Sequence, residues 1–165
     1  MQNQPVIRRA RPSDANRIAE FVNRVWGEDR VDEMDVIERM GNVGFLLAER
    51  EGVLVGMLGW RVENLVVRLT DFLVNATSER MTIGQALLEE MERTANELQC
   101  EAALLFLPRS APATLVNFYQ ALGYESRQIA ELPKAWQEAA YEGGWQEKET
   151  ILLKQLREDR IMRPI

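Results

Sequence analysis

The sequence predicts a single α/β (α+β) domain, built on a mixed, mostly antiparallel sheet of six to seven strands flanked by four to five helices. Three observations carry this prediction. Between Phe45 and Val74 lie three runs rich in β-branched and apolar residues, separated by short turns, which is the pattern of an antiparallel meander. A helical period follows, and then the near-continuous apolar run Ala102 to Leu107, so that strand, helix and strand imply a parallel pair with a crossover helix. The length of 165 residues suits one core, expected over about 5–156 within a domain spanning 1–165, with a polar C-terminal tail, 157–165, that frays.

Taken in order, Val6 to Arg9 is a short strand broken by Arg11-Pro12-Ser13-Asp14. Ser13 is a plausible N-cap for a helix over Ala15 to Trp26, where Ile18, Phe21, Val22 and Val25 recur at helical spacing, and Gly27 ends it. Asp32 to Met40 reads as a second helix with Met34, Ile37 and Met40 on one side, stopped by Gly41 and Gly44. The meander strands are Phe45 to Glu49, Val53 to Val62 and Leu65 to Val74, with turns at Glu51-Gly52 and Glu63-Asn64. Ile83, Leu87, Leu88, Met91, Ala95 and Leu98 line one face of the crossover helix. Beyond the apolar strand, Thr114 to Leu122 is a short helix ended by Gly123, and Tyr124 to Ile129 suggests a strand. Leu132 to Tyr141 reads as a helix stopped by Gly143-Gly144, and Glu149 to Leu156 as the last strand.

Composition narrows the chemistry. A formal net charge of −6 with no basic run argues against a nucleic-acid partner, and Arg8, Arg9 and Arg11 read as the solvated end of a strand. With no histidine, Ser-His-Asp and Cys-His catalysis are excluded and no metal site is expected. The single cysteine, Cys100, cannot form an intrachain disulfide and reads as buried packing. No apolar stretch is long enough for a signal peptide or a membrane span, so the expected location is the cytoplasm, with no membrane partner.

The stretch from Thr70 to Leu88 is a strand, a short polar loop and a helix start. Such a junction offers unpaired backbone N–H groups and the positive end of a helix dipole, a physical site for a phosphate or pyrophosphate. It has too few glycines for a P-loop or a dinucleotide fingerprint.

Here the sequence resembles the GNAT superfamily of acyl-coenzyme A N-acyltransferases. Asp71, Phe72-Leu73-Val74 and Ile83-Gly84-Gln85-Ala86-Leu87-Leu88 stand where that family carries an acidic residue on its fourth strand, an apolar strand end, and Arg/Gln-x-x-Gly-x-Gly/Ala leading into a Leu-rich helix. Leu104 to Leu107 followed by Phe118-Tyr119-Gln120-Ala121-Leu122-Gly123-Tyr124 is similar to the family's second element, and Val6 to Asp14 to its first strand and helix cap. The resemblance covers roughly 5–130, and the last strand also fits it. It implies an acyl-coenzyme A co-substrate, acetyl-coenzyme A or another acyl thioester, whose pantetheine arm pairs with Phe72, Leu73 and Val74. The pyrophosphate would meet amides of Glu79, Arg80, Met81, Thr82, Ile83, Gly84 and Gln85. A primary amine, on a small molecule or a peptide, attacks the thioester directly. With no histidine the base is a carboxylate, Asp71 first and Glu63 second, each otherwise a strand-end charge. Tyr119 is the implied acid, since a tyrosine near pKa 10 stays protonated while a thiol near about 8.5 departs; its alternative is a helix tyrosine packed on the sheet.

Three departures bear on this. Glu79 occupies the Arg/Gln position, Thr82 that of the first glycine, and Pro112 that of an asparagine before the Phe-Tyr helix. Threonine resists a positive φ and close backbone approach. A carboxylate about 4 Å from a phosphate oxygen costs roughly 1 kcal/mol in water and about 4 kcal/mol at an effective dielectric of 20, though Arg80 offsets part of it. The alternative reading is therefore a catalytically weakened domain of the same fold, acting as a coenzyme A-binding or protein-interaction and regulatory module. The stretch from Glu131 to Lys148, with Trp136, Tyr141 and Trp145, is either a lid over the acceptor, a homodimer surface, or a helix packed on the sheet.

Overall fold

A computed structural model describes residues 4–157. Its strands are β1 (Val6–Arg9), β2 (Gly44–Arg50), β3 (Val53–Glu63), β4 (Val66–Val74), β5 (Ala102–Pro108), β6 (Glu125–Arg127) and β7 (Glu149–Gln155). Its α-helices are α1 (Ala15–Trp26), α2 (Glu33–Met40), α3 (Arg80–Glu97), α4 (Ala113–Ala121) and α5 (Lys134–Glu142). The strands hydrogen-bond in the order β1-β2-β3-β4-β5-β7-β6. The β1/β2, β2/β3, β5/β7 and β6/β7 ladders are antiparallel, whereas β4/β5 is parallel as the crossover helix requires. The chain divides into two compact units: residues up to Arg61 with Thr70–Met91, and Val62–Leu69 with the chain from Glu92 onward.

In the first unit, Ala15, Ile18, Ala19 and Phe21 of α1 bury against Phe45 and Leu47 of β2 and Leu54 and Met57 of β3. α1 has the boundaries its periodicity predicts and ends at Gly27, whose φ of 74° is left-handed. Ser13 is not its cap. Pro12–Asp14 form a short 3-10 turn, because Pro12 is preset for a helical start, and Asp14 takes the N-cap position. α2 is capped by Asp32, whose side chain accepts from the Asp35 amide at 2.9 Å. Its buried residue is Val36, with Met40 packed behind it, whereas Met34 and Ile37 are exposed. A spacing of four rather than three sets its inner face. Gly56 of β3 admits α3: a Cβ there would lie 3.0 Å from both Ile83 Cγ2 and Leu87 Cδ1.

A charged network ties β1 to the start of α1. The Arg8 guanidinium donates to Asp14 at 2.9 and 2.7 Å and to Glu49 at 2.5 Å, and the Arg11 amide donates to Asp14 at 2.8 Å. The Arg8 hydrogen bonds, helped by the Arg11 amide, hold the Asp14 carboxyl down at about 2 against the opposing effect of burial. An unfolded aspartate titrates near about 3.9. Its folded value is depressed, so its contribution is complete above about pH 4 and is lost as pH falls toward 2. The shift corresponds to stability on the order of 2 kcal/mol. Asp14→Asn is expected to lose about that much at pH 7 and to flatten the decline of stability between pH 4 and 2. Denaturant melts at pH 7, 4 and 2 check this, and a variant whose decline parallels that of the wild type contradicts it.

In the second unit, Val66, Ala102, Leu104, Ile151 and Leu153 form the sheet face on which Leu132, Trp136, Ala139 and Ala140 pack. The Trp136 indole Nε1 donates to Glu101 at 3.2 Å. The stretch 131–148 is thus anchored through Trp136 as a helix on the sheet, with Tyr141 exposed and set edge-on to Trp145 at 5.9 Å. The β3–β4 turn falls at Asn64-Leu65, one residue later than predicted, with φ of 50° and 62°. Leu98 lies past the end of α3 and is exposed. The strand expected over Tyr124 to Ile129 is shorter, because a 3-10 turn takes over at Ile129. Cys100 is buried, and burial raises its thiol pKa. Arg157 is described, and the rest of the tail, 158–165, lies outside the described residues.

Candidate active site

The strand–loop–helix junction lies in the first unit. β4 ends at Val74, with Phe72, Leu73 and Val74 half-buried, and the Asn75 amide is tied to the Val55 carbonyl of β3 at 2.9 Å. The loop then closes on Thr77. Its Oγ1 accepts from the Glu79 amide at 3.3 Å and its carbonyl from the Arg80 amide at 3.2 Å. The Ile83 amide returns to the Glu79 carbonyl at 3.0 Å as α3 begins. The first turn of a helix carries amides with no intrahelical acceptor, at the positive end of its dipole. Here that turn presents Arg80, Met81 and Thr82 to solvent, over buried Ile83 and Gly84, with Gln85 again exposed.

Two of the sequence departures look different in the structure. No residue from Asn75 to Gly84 has a positive φ, so Thr82 sits in ordinary helical backbone and its only cost is the bulk of its side chain. Glu79 does not stand as an isolated charge: Arg50 Nε lies 3.3 Å from Glu79 Oε2. Pro112 takes the N-cap position of α4, its carbonyl accepting from the Leu115 amide at 3.0 Å.

Asp71, on β4 in the same unit, is enclosed by donors. Arg39 of α2 reaches it through Nε, 3.1 Å from each carboxylate oxygen, and through a terminal nitrogen 2.7 Å from Oδ2. The Thr70 hydroxyl adds a bond of 2.7 Å to Oδ2. The carboxylate sits over Gly59, where a Cβ would strike Asp71 Oδ2 and come within 2.7 Å of Thr70 Oγ1. A carboxylate accepts about four hydrogen bonds, so these contacts leave Asp71 little spare capacity while Arg39 is in place. The pair is only partly buried, at 47% and 30% side-chain exposure, which leaves Arg39 room to turn away.

Glu63 and Tyr119 lie in the second unit. Glu63 is half-buried, with its side chain 8% exposed, and pairs with Arg68 at 3.4 Å. The Arg68 stem passes so close to Gly143 that a Cβ there would come within 2.6 Å of Arg68 Cδ. Tyr119 is 3% exposed. Its ring is edge-on to Phe118 at 5.3 Å and to Tyr124 at 5.9 Å. Burial pushes its hydroxyl pKa well above the usual tyrosine value, so it stays protonated throughout the neutral range. Beside it, Tyr124 donates to Glu92 at 3.0 Å, and Lys154 pairs with the same carboxylate at 2.6 Å.

The structure thus brings Asp71, Phe72 to Val74 and Glu79 to Gln85 into one unit, and Glu63 and Tyr119 into the other. Sequence reasoning missed Arg39, Arg50 and Gly59. The two arginines carry no motif, and each meets its carboxylate only through the fold. Gly59 is one of two glycines in β3, and a glycine inside a strand signals a close approach without naming the group that approaches. Among the described residues, no group of three metal-ligating side chains is arranged to hold an ion, and no helix is long and apolar enough to cross a membrane.

This fold, with its strand–loop–helix junction, recurs in known proteins. The model of the Acetyltransferase (GNAT) family matches residues 13–124, more than half of the chain, and the protein belongs to that family. A comparison with curated protein sequences finds no match. Among solved structures, the ribosomal-protein-S18-alanine N-acetyltransferase of Escherichia coli is 15% identical with a TM-score of 0.71, covering 98% of this chain and 99% of its own. An acetyltransferase of the GNAT family from Staphylococcus aureus Mu50 is 18% identical with a TM-score of 0.69, covering 93% and 99%. The N-acetylglutamate synthase of Neisseria gonorrhoeae, solved with coenzyme A and N-acetyl-glutamate, is 15% identical with a TM-score of 0.70. The match takes in 96% of this chain but only 36% of the synthase. At these identities the likeness is one of fold.

Proposed function

We propose that the protein is an N-acyltransferase that moves an acetyl or other acyl group from acyl-coenzyme A to a primary amine on a small molecule or peptide. The observation that supports this most is the junction of β4 and α3, with its exposed first helical turn, in a chain that belongs to the acetyltransferase family. The residues suit the co-substrate. Phe72, Leu73 and Val74 form a strand end suited to pairing with the amide-bearing pantetheine arm, and of the stretch from Glu79 to Gln85 it is the helix start around Met81 and Thr82 that suits the pyrophosphate, since the Glu79, Arg80 and Ile83 amides are bonded within the loop and helix. The neighbour solved with coenzyme A lends the same support.

The thioester supplies an activated carbonyl carbon, and the protein's own residues do the rest. The amine nitrogen attacks that carbon, the C–N bond forms, the C–S bond breaks, and the nitrogen gives up a proton. An aliphatic ammonium has a pKa near about 10.4, so it must be deprotonated before attack. Asp71 is the assigned base, acting directly or through water once Arg39 turns aside. Glu63, more deeply buried against Arg68, is second. Tyr119 is the assigned donor to the departing sulfur. With its pKa raised by burial, it acts by hydrogen-bonding the developing thiolate, and the proton that ends on sulfur comes from the amine side or from solvent.

One observation favours the second reading, a coenzyme A-binding or regulatory module. Both candidate bases, Asp71 and Glu63, are held by arginines. Thermal unfolding with acetyl-coenzyme A tests the shared part of both readings. Ligand at 100 times its dissociation constant is expected to add about 2.7 kcal/mol of stability. An unchanged melting temperature at millimolar ligand contradicts the acyltransferase.

A further inference from the structure

The family carries arginine or glutamine where this chain has Glu79, and the structure sets an arginine from elsewhere against that glutamate. We propose that Arg50 is the residue that makes the junction able to hold a pyrophosphate, by offsetting Glu79 from β2 so that the positive charge of Arg80 is left for the anion. This rests on the acyl-coenzyme A reading above and names a residue that sets affinity within it.

Arg50 is the last residue of β2, opposite Val53, and the turn between them runs through Glu51 and Gly52 at φ of 52° and 77°. That two-residue turn fixes where the Arg50 backbone sits. Its side chain is 22% exposed, so it is largely withdrawn from solvent, and its Nε lies 3.3 Å from Glu79 Oε2. Glu79 in turn directly precedes the first residue of α3, its own amide held by Thr77. An arginine from β2 is therefore held at the same helix start where the exposed residues Met81 and Thr82 lie.

Charge decides what this accomplishes. Between Asn75 and Gly84 the only charged residues are Glu79 and Arg80, which sum to zero. The helix dipole adds only about half a positive charge. A pyrophosphate carries more negative charge than that, so a loop whose own two charges merely cancel is a weak anion site. With Arg50 counted, the site is net positive by one full charge. Glu79 then has a use of its own: it holds the guanidinium against the loop, and the arginine recruited by one departure from the family pattern offsets that departure.

Arg50 and Glu79 should be coupled in binding, measured as calorimetric dissociation constants for acetyl-coenzyme A in the full chain. Arg50→Ala should weaken binding by at least about five-fold, with a ceiling of several hundred-fold, the span of a like charge at about 4 Å between aqueous and effective protein dielectrics. The loss should shrink as salt is raised. In turnover, Arg50→Ala should raise KM for acetyl-coenzyme A and leave kcat at saturation unchanged. Arg50→Lys should keep most of the affinity. Glu79→Gln in the Arg50→Ala background should restore binding to within a few-fold of wild type, which a merely structural role for Arg50 would not allow. If Arg50→Ala does not fold, Arg50→Gln carries the same comparison. Wild type that fails to bind acetyl-coenzyme A overturns the functional reading itself. Wild type that binds, with Arg50 variants within two-fold of it or with no rescue by Glu79→Gln, overturns this inference alone.

Discussion

Tyr119→Phe is expected to lower kcat by about a hundred- to thousand-fold, the usual contribution of one hydrogen-bond donor positioned on a developing negative charge, with KM for acetyl-coenzyme A nearly unchanged. The hydroxyl is the one group the substitution removes. Tyr119 is buried, so its phenol pKa is raised and it remains a donor across the accessible pH range. A hydrogen bond that forms only as the C–S bond breaks stabilises the transition state and not the bound thioester, so its loss falls on kcat. Because the hydroxyl does not titrate below its raised pKa, the alkaline limb of the wild-type pH–rate profile should belong to another group and should persist in the variant. Steady-state rates from pH 6 to 10 check both points. A variant with more than half the wild-type kcat returns Tyr119 to a packing role, next to Tyr124 at 5.9 Å.

Trp136→Ala is expected to destabilise the fold by about 3–5 kcal/mol, as for other large-to-small core changes. Trp136 is 5% exposed and stands among Leu132, Ala139, Ala140, Ile151 and Leu153, and its indole donates to buried Glu101 at 3.2 Å. Truncation opens a cavity and also takes a donor from that carboxylate. In a chain of this size the melting temperature should fall by roughly 10 °C or more. Trp136→Phe keeps most of the bulk and should cost only about 1–2 kcal/mol, chiefly the hydrogen bond. A loss below about 1 kcal/mol for the alanine variant would contradict the core assignment and revive a lid. It follows that removal of 131–147 tests folding before it tests acceptor turnover.

Local pattern made much of this fold legible, and long-range pairing did not. The bounds of α1 and β1 are readable because their signals lie within a few positions, the break at Arg11 to Asp14, Gly27 behind the helix and apolar spacing along it, although the cap is Asp14 and not Ser13. The β2–β3 turn was readable from Glu51-Gly52, where glycine takes the second positive φ. At Asn64-Leu65 a leucine sits at φ 62°, a residue with no turn preference, so the sequence pointed one residue too early. Met34 and Ile37 misled because a short helix has several apolar faces, and the neighbour that chooses among them comes from elsewhere in the fold.

In the candidate site, the strand and the helix start were readable from the family pattern. The state of the side chains was not. Asp71 reads as a free carboxylate until Arg39, 32 positions away, is folded against it. Glu79 reads as a defect until Arg50 is seen beside it. Thr82 reads as a steric fault only if its position needs a positive φ, and the backbone there is helical. Each of these depends on which elements meet, which no local window contains.

The central claim is acyl transfer to an amine, and the most direct measurement is the release of free thiol from acetyl-coenzyme A across a panel of primary amines, with the acylated amine detected by mass spectrometry. Thiol release is expected to depend on the amine, with one amide formed for each thiol released. Acetyl-coenzyme A that binds without amine-dependent thiol release, or thiol that appears without amide, would contradict it.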